Sequence, residues 1–213
     1  MNENLISGPD LSNQIIGVLI RFREPPVAVM GDIKAMFHQV KIPEKDRSLL
    51  RFLWWEDHDI SKPITDLEMN VNVFGSTSSP SCCNYALKRT ALDNISNYQP
   101  EVINTVLRNF YVDDLLKSVK DASIGKTLIQ DVTRLCAEGG FRLTKFISNN
   151  IDILQSIPEE DRLTGVKDMD LSKGLNLPTE KALGINWDIE EDTLGYKIIL
   201  KEKPMTRRGM LSM

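Results

Sequence analysis

The sequence predicts an α+β fold in which helices pack on one face of an antiparallel sheet. Two runs, 27–33 and 141–149, are rich in apolar and β-prone residues, which favours strands. A third run, 109–119, has the same character but is interrupted by two adjacent aspartates, as expected at the turn of a hairpin. Segments with apolar residues at helical spacing lie between these runs, so strands and helices are expected to surround one site.

The N-terminal region predicts a loop and then a helix within residues 5–23. Ser12 is a candidate N-cap. The apolar face of this helix comprises Ile15, Ile16, Val18, Leu19 and Phe22. Pro25 and Pro26 end the helix because proline disrupts helical hydrogen bonding, and the strand at 27–33 follows.

The next region predicts a hairpin. A polar turn or short helix at 43–47 precedes a strand at 49–55, and a second strand with alternating apolar residues lies within 64–74. The loop at 56–59, Glu-Asp-His-Asp, has the composition of a metal site. We predict a solvated loop there instead, because nothing holds these side chains in a rigid geometry.

Three helices are predicted in the central region. The first begins within 75–80 and ends near Ile95, with Ser78 or Ser79 as the cap and Pro80 in the first turn. The second covers 101–107. The third begins after Asp121, a predicted N-cap, and ends at Gly139-Gly140.

The C-terminal region predicts a polar, partly helical connection at 152–176. A hairpin then follows, with strands at 183–188 and 194–199 and a turn at 190–192. Residues 205–213 are expected to begin a further helix.

Length and composition indicate one globular domain, with at most a small appendage. The chain has 213 residues, of which 41% are hydrophobic and 26% charged. No apolar run is long enough to cross a bilayer and the N-terminus does not resemble a signal peptide, so we expect an intracellular protein without a membrane partner. Three cysteines, Cys82, Cys83 and Cys136, are expected to be buried or semi-buried free thiols on helices.

The net charge of −4 is unusual for a protein that binds nucleic acid, since such proteins carry a basic patch. The cations are scattered along the sequence. A local basic channel is compatible with this charge, because the field depends on how charges are distributed.

Three aspartates are the candidate functional residues. Asp113 and Asp114 repel each other at the predicted hairpin turn, and either water or a divalent cation would relieve that repulsion. Asp32 ends an apolar strand, where a carboxylate is costly to bury without a partner or a metal. Brought together, the three could hold two Mg²⁺ ions for an in-line phosphoryl displacement. The alternative for the Asp pair is an ordinary polar turn.

Three motifs in order resemble those of reverse transcriptases: 32–37 (Asp-Ile-Lys-Ala-Met-Phe), 74–80 (Phe-Gly-Ser-Thr-Ser-Ser-Pro) and 111–114 (Tyr-Val-Asp-Asp). In detail the chain is most similar to the polymerase domain of Bel/Pao-type LTR retrotransposons, over most of its length. The resemblance implies a polymerase palm with partial fingers. It divides the chain into partial fingers at about 1–26 and 43–74, a palm at about 27–42 and 75–178, a primer-grip-like hairpin at 179–200, and a truncated thumb or connection at 201–213.

The resemblance also implies a role for each motif residue. Catalysis would fall to Asp32, Asp113, Asp114 and Lys145, with the three aspartates binding two Mg²⁺ ions, or Mn²⁺ in their place. The dNTP would contact Ile33, Phe37, Phe74 and Gly75. The template and primer would contact Tyr111, Ser79, Pro80, Leu183, Gly184 and Trp187.

Structural alternatives remain open for several of these residues. Phe37 has the character of a core aromatic, and the family position implies instead a ring beneath the sugar of the nucleotide, excluding a 2′-hydroxyl. Lys145 is either an ordinary surface lysine or the residue that protonates the pyrophosphate leaving group. Residues 75–80 are also compatible with a simple capped helix. His38 is expected to lie on the opposite side of an extended chain from Phe37 and not to bind metal.

The function expected from this resemblance is RNA-directed DNA polymerisation in a cytoplasmic retrotransposon particle. Its partners would be an RNA or DNA template with a primer, a dNTP, and the thumb, ribonuclease H and integrase regions of a polyprotein. The alternative is a truncated, inactive relic that binds nucleic acid weakly. An unrelated metal-dependent phosphohydrolase is a third hypothesis.

Overall fold

Four antiparallel strands form the main sheet of the protein. The structure is a computed structural model that describes residues 2–167 and 179–196. Its strands are β1 (Val27–Ile33), β2 (Arg51–Trp55), β3 (Ile64–Glu68), β4 (Phe110–Tyr111), β5 (Asp114–Val119), β6 (Leu143–Ser148), β7 (Thr179–Ala182), β8 (Ile185–Asp188) and β9 (Thr193–Gly195). Its helices are α1 (Ile15–Phe22), α2 (Glu44–Arg47), α3 (Ser79–Asp93), α4 (Pro100–Arg108), α5 (Ala122–Glu138), α6 (Ile151–Ser156) and α7 (Thr164–Lys167). The main sheet has the strand order β4-β5-β1-β6, so β1 is central and pairs with β5 and β6.

Both faces of this sheet are covered. One face packs against α3, α4 and α5 in the larger core, which includes Val29, Leu115 and Phe146. The other face packs against α1 and the sheet β7-β8-β9, around Phe22 and Trp187. This explains why β1 is apolar almost throughout, since a strand buried on both faces shows no alternation. The α+β prediction is confirmed, although helices were expected on one face alone.

The predicted ends of α4 and α5 are confirmed to within one residue. Helix α4 covers the predicted short helix and one further residue at each end. Asp121 caps α5 by accepting a hydrogen bond from the backbone N–H of Ile124 at 2.9 Å. The same helix ends at Gly139, and Gly140 follows with a φ of 80°, the left-handed conformation that glycine tolerates.

The predicted N-cap of α1 is wrong, and other predicted ends are confirmed in part. Helix α1 begins after Gln14, and the N–H of Ser12 donates to Asp10 Oδ1 in a local turn instead of capping the helix. For α3, Ser78 at the N-cap position and Pro80 in the first turn are confirmed, but Ser78 makes no side-chain cap hydrogen bond, and the helix ends at Asp93, two residues before the predicted end. The strand predicted within 64–74 is confirmed as β3, which ends at Glu68; an isolated bridge then pairs Val71 with Lys41.

The C-terminal hairpin also differs from the prediction. Leu183 and Gly184 form a turn between β7 and β8 instead of beginning a strand, and both have positive φ (51° and 87°). The turn at 190–192 is confirmed between β8 and β9. The predicted helix at 205–213 and parts of the predicted elements 152–176 and 194–199 lie outside the described residues.

The cysteines are unpaired. Cys83 and Cys136 are buried, whereas Cys82 is exposed, contrary to the expectation that all three thiols are at least partly buried. None of the helices within the described residues is long and apolar enough to span a membrane.

Candidate active site

Three aspartates lie at one end of the main sheet. Asp32 lies near the end of β1 and Asp114 begins β5, and the two are direct partners in the antiparallel register. Asp113 precedes Asp114 in the turn, and its carbonyl oxygen accepts a hydrogen bond from the N–H of Ile33 at 2.9 Å. The pairing of β1 with β5 therefore brings together carboxylates that are about eighty positions apart in the sequence.

A tight turn presents the acidic pair. Tyr111 pairs with Asp114, so Val112 and Asp113 alone connect β4 to β5. Val112 has a φ of 57°, which is uncommon for a β-branched residue. Its side chain packs against the larger core, and this contact holds the strained turn in place.

An irregularity in β6 brings a lysine to the same site. The register between β1 and β6 shifts between Met30 and Asp32, and Lys145 there has a left-handed φ of 53°. Its Nζ lies 3.1 Å from Asp32 Oδ2, while 58% of the lysine side chain is exposed. The ion pair places Lys145 within the candidate site, and its exposure leaves the ammonium accessible to a ligand.

The carboxylates perturb one another. Burial, and then repulsion by Asp113 and Asp32, raise the pKa of Asp114 to about 6, and Lys145 opposes the shift. Burial is also the main cause that raises the pKa of Asp113, with repulsion from Asp32 adding to it. A backbone hydrogen bond and Lys145 partly offset that rise. One lysine beside three carboxylates leaves net negative charge.

The chemistry of these donors suits a hard divalent cation, because carboxylate oxygens are the ligands that Mg²⁺ prefers. In the part of the chain that the structure describes, no three His, Cys, Asp or Glu side chains already converge as a metal site. Asp32 is instead paired with Lys145. Metal binding would therefore require Asp32 to exchange its lysine partner for a cation.

Strand β7 contributes two residues that sequence reasoning missed. A cavity of about 110 Å³ is lined by Asp32, Asp114 and Lys145 and, from β7, by Glu180 and Lys181. Their opposite charges nearly cancel, so they add polarity to the cavity but little net charge. The sequence of β7, Thr-Glu-Lys-Ala, is polar in its first three residues, and nothing in it indicates that the strand faces the carboxylates.

Two of the four residues predicted to contact the nucleotide, Phe37 and Phe74, pack against each other. The rings of Phe37 and Phe74 meet edge to face with centroids 4.8 Å apart, and Phe74 is largely exposed. Phe37 also packs on the larger core, so the core alternative is partly correct. Gly75 is exposed with a φ of 83°. Ile33 is fully buried and its N–H donates to the carbonyl oxygen of Asp113, so the residue is not accessible to a ligand in this arrangement.

The expectation for His38 is wrong. Residues Met36–Gln39 form a 3₁₀ turn and not an extended segment. His38 therefore lies on the same side as Phe37, and its ring contacts Phe74 with centroids 5.6 Å apart. The prediction that His38 is not a metal ligand is untested.

The predicted template–primer residues divide into buried and accessible ones. Ser79 is buried and its hydroxyl donates to the carbonyl of Val73 at 2.8 Å. Trp187 is fully buried, packs edge to face on Phe22 and donates from Nε1 to Asp192 Oδ1 at 3.0 Å. Both side chains are committed to internal partners in this arrangement, and their predicted contact with template and primer stays a prediction.

The remaining template–primer candidates are accessible in differing degrees. Pro80 is exposed at the start of α3, and Tyr111 is half-buried against the smaller core. Leu183 is half-buried in the β7–β8 turn, next to Gly184. None of their predicted roles is tested by the structure.

Several of the scattered cations are engaged within the protein. Arg23 pairs with Asp192 at 2.6 Å, and Arg89 pairs with Asp93 at the same distance. Lys88 donates to the carbonyl of Leu11 at 2.7 Å. These pairs reduce the positive charge that is available to phosphate groups.

No family model and no curated protein matches this chain. Among solved structures, the chain is similar to a foamy viral protease-reverse transcriptase in complex with an RNA/DNA hybrid, with 16% sequence identity and a TM-score of 0.48. The match covers 83% of this chain and 18% of the other, so the chain spans less than a fifth of that protein. The fold assignment rests on this chain's own strand order and packing.

Proposed function

We propose that the chain is the palm and partial fingers of an RNA-directed DNA polymerase, a reverse transcriptase domain of a Bel/Pao-type LTR retrotransposon. The observation that carries the proposal is the pairing of Asp32 with Asp114 in adjacent strands, with Asp113 in the turn beside them. The order of the three sequence motifs supports the finer, Bel/Pao assignment. The domain boundaries given above belong to this proposal.

In this proposal Asp32, Asp113 and Asp114 would hold two Mg²⁺ ions, with Mn²⁺ as an alternative. When bound, such ions lower the pKa of a primer 3′-hydroxyl and stabilise the pyrophosphate that leaves. The 3′-hydroxyl would lose its proton to water, its oxygen would form a new P–O bond to the α-phosphate of a dNTP, and the P–O bond to pyrophosphate would break. Asp32 and Asp113 would be the principal ligands, and Asp114 would adjust the charge of the site.

Lys145 would supply the proton that the leaving pyrophosphate takes up. Its Nζ already lies beside Asp32, and its exposed side chain can turn from that carboxylate toward a phosphate. Beside it, Phe37 and Phe74 would provide the apolar contact beneath the sugar of the dNTP.

Template and primer would be read through their shape and backbone, since base pairing supplies the sequence choice. The thumb, ribonuclease H and integrase would be other regions of a polyprotein. We place the protein in a cytoplasmic retrotransposon particle as part of the same proposal.

A primer-extension assay tests the function. The wild-type chain should extend a primer on an RNA template with Mg²⁺, and Asp113→Asn should abolish extension while circular dichroism remains unchanged. Asp93→Asn, an exposed carboxylate outside the site, is the matched control and should keep full activity. Full activity in Asp113→Asn would end the assignment. Phosphate release from a nucleotide without template would indicate the phosphohydrolase alternative.

A catalytically inactive relic is the second candidate, and it is favoured by the net charge of −4 and by the internal pairing of basic residues. A gel-shift assay run beside the extension assay separates the two candidates. Weak retention of primer–template without extension under any metal condition would support the relic.

A further inference from the structure

The hairpin formed by β2 and β3 (residues 51–68, the β2–β3 hairpin) carries an unusual amount of exposed apolar surface. Every residue in this range is exposed except Trp55 and Thr65, which are half-buried. Its exposed large apolar residues are Phe52, Leu53, Trp54, Ile60, Ile64 and Leu67, with exposed fractions between 38% and 78%. The register places Phe52, Trp54 and Leu67 on one face of the hairpin and Leu53 and Ile64 on the other, so both faces expose apolar side chains. A cluster of exposed large apolar side chains marks an interaction site.

The hairpin also lacks support from the rest of the protein. Strands β2 and β3 pair only with each other among the described residues, and neither makes extensive contact with another described element. Its base is closed by a hydrogen bond from the N–H of Met69 to the carbonyl of Leu50 at 3.1 Å. An isolated two-stranded hairpin is marginally stable in water, so covering its faces or edges would stabilise it.

The charge of the hairpin indicates what covers it. Residues 51–68 contain two cations and five carboxylates, a net charge of −3 with His58 neutral. Both cations are already paired, Arg51 with Asp66 and Glu68, and Lys62 with Asp57 at 2.5 Å. Hydrogen bonds from Ser61 lower the pKa of Asp59 and keep it ionised.

This charge disfavours two possible occupants. The phosphate backbone of a nucleic acid would be repelled by a net negative surface. A second copy of the chain would bring two identical acidic hairpins together, and like charges facing each other are destabilising.

We propose that the β2–β3 hairpin docks a segment of another protein that combines apolar side chains with lysine or arginine. The apolar side chains would cover Leu53 and Ile64, which lie on the same face of the hairpin, and the cations would face Glu56 and Asp59 near its tip. This inference does not depend on the proposed polymerase function.

The test is a fluorescence-anisotropy titration of the full chain against labelled synthetic peptides. One peptide alternates Val with Lys, and its control alternates Val with Glu. The Val-Lys peptide should bind saturably and about tenfold or more tightly than the Val-Glu peptide. The double variant Leu53→Ser/Ile64→Ser should lose about tenfold in affinity, whereas Ile95→Ser, an exposed apolar residue outside the hairpin, should bind normally.

Four results would overturn the proposal. The first is a Val-Glu peptide that binds as tightly as the Val-Lys peptide. The second is a double variant that binds the Val-Lys peptide as tightly as Ile95→Ser does. A labelled single-stranded oligonucleotide would bind the wild type but not the double variant, which would make the hairpin a nucleic-acid contact. Sedimentation would show a dimer that the double variant abolishes, which would make the occupant a second copy.

Discussion

The carboxylate of Asp114 is repelled by two neighbouring carboxylates, Asp113 and Asp32, and attracted by the ammonium of Lys145. Its pKa is raised from 3.8 to about 6 because burial and the neighbouring carboxylates disfavour its charged form. The unfolded chain ionises at the lower value, so between the two values the folded state holds a proton that the unfolded state has lost. Stability therefore falls as the pH rises through this window, and the loss is complete above the folded pKa.

Asp114→Asn should stabilise the protein in the absence of metal. The variant removes a charge that is repelled at about pH 7.5 but is already neutral at about pH 4, so its melting temperature should exceed that of the wild type only at the higher pH. Thermal unfolding in EDTA at both pH values measures this, with Glu160→Gln, an exposed carboxylate outside the site, as the control. A melting temperature lowered equally at both pH values would contradict the electrostatic account.

Lys145 combines a left-handed backbone with a charged contact, and one variant separates the two features. Lys145→Asn keeps a residue that tolerates positive φ but removes the ammonium near Asp32. We expect the fold to be retained and the single-turnover rate of primer extension to fall by about a hundredfold, as for the loss of a general acid. An unchanged rate with intact Mg²⁺ dependence would show that Lys145 is only a surface lysine.

At the scale of elements, α5 shows how one cap supports the site. Asp121 follows β5, and its side chain accepts the N–H of Ile124, so it fixes where the strand ends and the helix begins. Helix α5 then buries Leu128, Val132 and Leu135 under the sheet that carries the aspartates.

Asp121→Ala should lower the free energy of unfolding by about 1 kcal/mol, because the variant loses an N-cap hydrogen bond. Asp121→Asn retains a side-chain acceptor and should lose much less. Urea denaturation followed by circular dichroism measures both. Equal losses in the two variants would contradict a capping role.

Elements with strong local signals were predictable from the sequence. The strands of the main sheet, α4, and both ends of α5 follow from apolar runs, an Asp cap and a glycine pair. The C-terminal hairpin was not fully predictable, because Leu183 adopts a positive φ that its residue type does not suggest. The N-terminal end of α1 was missed because Ser12 takes part in a local turn with Asp10 instead of capping the helix.

The candidate site, too, was predictable from the sequence only in part. That Asp32 and Asp114 lie close together follows from two strand patterns, and the structure brings these residues together as partners. The burial of Ser79 and Trp187 could not be predicted, because it depends on which side of each element meets the core. The contribution of Glu180 to the cavity depends on how β7 lies against the main sheet.

At the scale of the whole molecule, the net negative charge limits the affinity that the chain can have for nucleic acid. The chain carries a net charge of −4, and several arginines are held in internal ion pairs. The β2–β3 hairpin adds a local acidic surface where the resemblance predicts partial fingers.

The isolated chain should therefore bind primer–template weakly, with a dissociation constant of about 10⁻⁴–10⁻⁶ M at physiological salt. The affinity should also vary little with salt, because few phosphate contacts release few counterions. Fluorescence anisotropy across a salt series measures both quantities. Nanomolar binding with a steep salt dependence would contradict this view and indicate a basic channel.

The central claim is that Asp32, Asp113 and Asp114 form one divalent-cation site, and a Mn²⁺ titration followed by electron paramagnetic resonance tests it most directly. The wild-type chain should bind Mn²⁺ saturably, with Mg²⁺ competing. Asp32→Asn and Asp113→Asn should each weaken binding by about tenfold or more, while Asp93→Asn should not. Equal Mn²⁺ binding by the wild type and all three variants would contradict the account.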